Sequence, residues 1–107
     1  SLEEIAKIAG EALGITFQKG RLETENEYYE AKIGKRIKVS VDKSQYFPGI
    51  NDGRWFIGAD VMSWTSGSSA PCDSIEEMIE WIRKQIRRYE KEEAENAKRD
   101  KRSDVAV

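Results

Sequence analysis

Histidine is absent from this chain, and cysteine occurs once, as Cys72. Without histidine, the commonest general base and the commonest zinc ligand are both missing. One cysteine cannot close an internal disulfide, so no disulfide framework is expected, which fits a reducing, cytoplasmic compartment. No apolar run approaches the roughly 20 residues of a membrane span, and the acidic, amphipathic opening is unlike a secretory leader. Neither sign of charge prevails: the net charge is −2. No global field therefore draws the molecule to nucleic acid or to an anionic membrane.

What is present is charge, divided by segment. Residues 1–30 are net −4, residues 31–54 net +4, residues 55–82 net −5 without one basic side chain, and residues 83–102 net +4. Such alternation implies complementarity within the molecule first and partner binding second. With 107 residues, 38% of them apolar, there is room for one domain and one modest core.

Residues 2–13 predict a helix. Ser1 and Glu4 have capping-box spacing, Leu2, Ile5, Ile8, Ala9, Ala12 and Leu13 recur at helical period, and Gly14 stands where a left-handed cap is wanted. A short strand is expected over 15–19, with Ile15 and Phe17 on one face. Tyr29, Ala31 and Ile33, then Ile37, Val39 and Val41, alternate with polar neighbours. This predicts two one-sided strands, 27–33 and 36–42, joined by Gly34-Lys35 as a two-residue turn. Residues 43–53 read as a loop with turn signals at Pro48-Gly49 and Asp52-Gly53. Residues 54–62 read as a strand apolar on both faces, which needs cover on both. Residues 63–72 read as a second loop. From about residue 74 a helix is expected, capped by Asp73 or Ser74 with Glu76 or Glu77, and carrying the stripe Ile75, Met78, Ile79, Ile82, Ile86 and Tyr89.

The predicted fold is α+β: an antiparallel sheet of about four strands between an N-terminal and a long C-terminal helix, in the order α-β-β-β-β-α. Residues 1–89 form the single domain. Residues 90–107 form a charged helical extension and a flexible tail, with disorder expected from about Arg102.

Catalytic chemistry finds little support. Cys72 precedes a helix N-terminus but has no histidine partner, and Asp73 opposes its ionisation. Asp60, Asp73, Glu76, Glu77 and Glu80 match no calcium-loop spacing. The Ser- and Gly-rich stretch 63–69 fits no phosphate-loop fingerprint. The chain is therefore expected to be no enzyme, with no cofactor and no metal. The first functional expectation is a small cytoplasmic interaction or regulatory protein, of the accessory kind found in bacteria and phages. It would dock another protein or a second copy of itself through Tyr46, Phe47, Ile50, Trp55, Phe56 and Trp64, a loop-rich aromatic set of interface composition. The alternative is a nucleic-acid-binding module using Lys32, Lys35, Arg36 and Lys38 of the hairpin with Arg83, Arg87 and Arg88 of the last helix. No membrane partner is expected.

Overall fold

The computed structural model describes residues 1–20, 27–44, 55–64 and 66–105, with side chains to Ala97. Helix α1 spans Leu2–Leu13, strands β1 to β5 span Gln18–Lys19, Tyr28–Ile33, Ile37–Ser44, Phe56–Met62 and Gly67–Cys72, and helix α2 spans Ile75–Val105. The strands form one antiparallel sheet in sequence order. The α+β class, the single sheet and the two flanking helices are as the sequence predicts.

Helix α1 begins and ends on its predicted caps. The Ser1 hydroxyl accepts from the Glu4 N–H, and Gly14 turns left-handed at φ 70 while its N–H donates to the Gly10 carbonyl. The Ile15 N–H donates to the same carbonyl. This Schellman-type closure commits Ile15 to the helix end. The first strand consequently shrinks from 15–19 to Gln18–Lys19, while Ile15 and Phe17 pack on the core from outside it. Helix α2 starts at Ser74, whose hydroxyl accepts from the Glu77 N–H while Glu77 accepts from the Asp73 N–H. This reciprocal pair satisfies two backbone donors, the Glu77 N–H inside the first turn and the Asp73 N–H just before it.

Alternation sorts the strands into two faces. Ala31, Ile37, Val39, Val41, Ala59, Val61 and Cys72 are buried on one face together with Leu2, Ala6 and Ala9 of α1 and Met78, Ile82 and Tyr89 of α2. Each large side chain so buried contributes about 1.5–3 kcal/mol. Both helices thus share one sheet face, and they touch each other there. Helix α1 carries no basic residue in its last turn. Arg83 of α2 fills that role by donating to the Ala12 carbonyl, which places positive charge at the negative end of the α1 dipole.

Three expectations about the strands are corrected. The β2–β3 turn holds three residues, because Ile33 stands opposite Ile37 and Gly34 opens the turn at φ 62. The presumed loop 63–72 contains β5, which pairs along its whole length with β4. The signal is weak because β5 alternates only small residues: Ser68, Ala70 and Cys72 inward, Gly67, Ser69 and Pro71 outward. Pro71 is tolerated because β5 is an edge strand. Strand β4 is not sealed evenly on both faces. Phe56 is buried on the side away from the helices, whereas Met62 at the other end of that side is 51% exposed.

Register also fixes direction. Helix α2 begins beside Cys72, and its Tyr89 hydroxyl lies 2.8 Å from the Ser68 hydroxyl. It therefore runs from the Trp55 end of the sheet to the hairpin-tip end and continues past it. The helix runs to Val105.

Candidate functional site

The β2–β3 tip and the β4–β5 turn meet at one end of the sheet. Across the face away from the helices, Lys32, Lys38, Met62 and Gly67 stand in one row, each opposite the next. Lys32 directly opposite Lys38 is a repulsive pair. Lys38 is answered by Glu30, 2.8 Å from its ammonium, and the hydrogen bond that the ammonium donates to that carboxylate raises the lysine's pKa. Lys32 and Lys35 are exposed and make no ion pair among the described residues.

The β4–β5 turn is a tight one. The Ser63 N–H donates to the Ser66 carbonyl at 2.8 Å, and the Ser66 N–H donates to the Ser63 hydroxyl at 3.2 Å. These donors are used internally, so the turn does not present them to a phosphate. It presents Trp64 instead, 76% exposed. The Arg36 guanidinium lies 5.0 Å from the centre of the Trp64 ring, in cation–π range. Lys32, Lys35, Arg36, Lys38, Met62 and Trp64 line a groove of about 330 Å³.

The structure thus joins the four hairpin cations of one predicted set to a tryptophan of the other. The rest of both sets lies elsewhere. Arg83 is engaged at 2.6 Å by Glu80 and by the end of α1. Arg87 is exposed on α2. Arg88 pairs with Glu92 at 3.5 Å and lies over the Tyr89 ring. All three belong to the helical layer, across the sheet from the row containing Lys32 and Lys38. Of the aromatic set, Phe56 is 4% exposed and serves packing. Trp55 is 57% exposed, with the Lys43 ammonium 5.2 Å from its ring. Trp55 and Trp64 flank opposite ends of β4, whose seven residues alone span roughly 20 Å at about 3.3 Å per residue. They do not form one surface. Tyr46, Phe47 and Ile50 lie outside the described residues, as do the turn signals at Pro48-Gly49 and Asp52-Gly53.

A second polar constellation lies mid-sheet on the same face, and sequence reasoning missed it. Asp42 of β3 and Asp60 of β4 flank, with Tyr28, Lys38 and Ser40, a hollow of about 250 Å³. Gly58 opposite Asp42 leaves room for its carboxylate, since a Cβ there would strike it. The Ser69 hydroxyl donates to Asp60. Burial, and then the neighbouring Asp60, raise the Asp42 pKa. The signal was one polar residue inside an otherwise apolar strand, and only the β3–β4 register turns it into a pair. Among the described residues, no three such side chains are grouped to hold a metal.

Cys72 is 2% exposed. Burial, aided by Glu77 and Asp73, pushes its thiol up to about 11. It is a packed thiol, not a nucleophile poised near neutrality. No helix among the described residues is long and apolar enough to cross a membrane. The chain matches no protein-family model, no curated protein and no solved structure.

Proposed function

We propose that this chain is a non-catalytic binding module that holds single-stranded nucleic acid in the hairpin-tip groove. The observation that carries this is one exposed indole, Trp64, sharing a groove with Lys32, Lys35, Arg36 and Lys38. Cations at this spacing neutralise successive phosphates and release their counterions. An exposed indole offers a stacking surface to any base, and stacking on a side chain requires an unpaired base. Arg36 covers part of the ring and steadies it; the uncovered part takes the base. The packed, free Cys72 fits work in a reducing, cytoplasmic setting.

The test is anisotropy of a labelled single-stranded oligonucleotide across a salt series, for the wild type and for Lys35→Ala/Arg36→Ala. Binding at low salt should weaken with a log–log slope of about −0.7 per phosphate contact, and the double variant should flatten that slope by up to about 1.4. Absence of binding at low salt, or an unchanged slope, contradicts the proposal.

The rival reading, docking of another protein in a regulatory role, keeps Trp55 as its one well-exposed described residue besides Trp64. Capture of a defined partner that depends on Trp55 and not on Trp64 would favour it.

A further inference from the structure

The two edges of the sheet are built differently. At one edge β1 is two residues long, which gives a further strand little to pair with. At the other, β5 runs for six residues, GSSAPC, and carries no charged side chain to repel one.

Which backbone groups of β5 are free follows from the turn before it. The Ser63 N–H donates to the Ser66 carbonyl, so these two residues are a hydrogen-bonded pair, and such pairs alternate along an antiparallel ladder. Ser68, Ala70 and Cys72 therefore turn their N–H and C=O groups toward β4, while Gly67, Ser69 and Pro71 turn theirs outward. Pro71, which has no N–H, stands at an outward position and takes nothing from the β4 ladder. The open edge thus offers donors at Gly67 and Ser69, and acceptors at Gly67, Ser69 and Pro71.

That pattern is its own complement. With a second copy laid antiparallel so that Ser69 stands opposite Ser69, the two serines exchange N–H···O=C bonds, and each Gly67 N–H meets a Pro71 carbonyl. Within β5 only the Gly67 carbonyls, opposite proline, go without a donor. Glycine faces proline and serine faces serine across the join, so no like charges meet.

The helices leave room for it. Helix α2 packs mainly on β4, and α1 on β2 and β3. In the joined sheet the two β4 strands would lie three strand spacings apart, about 14 Å at about 4.8 Å each. Packed helices need about 8–10 Å, so two α2 helices fit side by side with a gap for side chains. Trp81 and Gln85 stand on the flank that borders this gap. Each is two positions from Arg83, which reaches α1, and so lies about 200° around the helix from it. Both are half-buried, and the inward side chains of β5 beneath that flank are small.

We infer that β5 is a self-association edge: two copies join antiparallel through Gly67–Cys72, centred on Ser69, into one continuous sheet. A second copy is the occupant because the edge itself supplies, in register, the donors and acceptors that the edge requires. The inference is independent of what the hairpin-tip groove binds.

Sedimentation velocity of the full chain tests it, up to about 100 µM, a concentration that populates micromolar complexes. The wild type should dimerise as concentration rises, and equally at about 0.5 M salt, because the join holds no ion pair to screen. Ser69→Pro removes the central donor at a position where, as at Pro71, proline spares the β4 ladder. Ser69→Glu sets two carboxylates opposite each other. Each should raise the dimer dissociation constant at least about tenfold, the equivalent of about 1.4 kcal/mol, and thermal melts check that each variant still folds. Residues opposed in a hydrogen-bonded pair have Cα atoms about 5.5 Å apart, within disulfide reach. Mild oxidation should therefore link Ser69→Cys into a covalent dimer and leave Ser66→Cys, equally exposed in the turn, unlinked. If the wild type stays monomeric throughout, the inference is overturned and the edge is left to an extended segment of another protein. It is equally overturned if folded Ser69→Glu dimerises as the wild type does, or if the two cysteine variants cross-link alike.

Discussion

The two faces of the sheet are built from the same strands and differ in almost every property. Toward the helices, Val39, Val41, Ala59 and Val61 are sealed against Met78, Ile82 and Tyr89. On the opposite face, Phe56 is buried at one end, but Lys38, Ser40, Asp42, Asp60 and Met62 line hollows instead of a core. One residue of shift in register would exchange the two sets. Stability is thus concentrated on the covered face, and the chemistry available to a partner lies on the other, at its hairpin-tip end.

The comparison breaks most visibly on the covered face. Ile82→Ala should cost about 2–5 kcal/mol in denaturant unfolding, since Ile82 is fully buried. A loss under about 1 kcal/mol would mean that α2 does not hold the sheet. Next is Tyr89→Phe, which keeps the ring and removes the hydroxyl bonded to Ser68. About 0.5–1.5 kcal/mol should be lost, and no change would place that hydrogen bond outside the energetics of the fold.

On the open face the sign reverses. The Asp42 carboxyl has its pKa raised in the folded state, so folding favours its protonated form. Stability attached to this group is present at low pH and is lost as pH rises through the acid range into the folded pKa. Asp42→Asn should therefore stabilise the protein at pH 7, by less than about 1 kcal/mol given solvent screening. The gain should vanish toward pH 3, below the unfolded carboxylate pKa of about 3.9. Thermal melts at both pH values test this, and equal destabilisation at both would show that the carboxylate is needed for packing.

The covered face was the legible one. The stripe from Ile75 to Tyr89, the alternation of Ile37, Val39 and Val41, and the caps at Ser1 and Gly14 are local patterns in which period and chemistry agree. Strand β5 was illegible because Gly67–Cys72 alternates small residues whose burial contrast is slight. The groove was half legible. Its cations stand together in sequence, but Trp64 lies 28 positions beyond Arg36. They meet because Lys38 stands opposite Met62, which only the β3–β4 register determines. The same register joins Asp42 to Asp60. Splitting the aromatic set likewise required knowing that Trp55 and Trp64 flank one extended strand.

The division between the faces predicts that the groove can be emptied without touching the core. Trp64→Ala, measured in parallel by thermal unfolding and by single-stranded oligonucleotide binding, tests this most directly. Stability should change by no more than about 0.5 kcal/mol, because the indole is 76% exposed. Binding should weaken by about 1–3 kcal/mol, the cost of one lost stacking contact. Unchanged binding, or a melt that collapses with the substitution, would contradict the account.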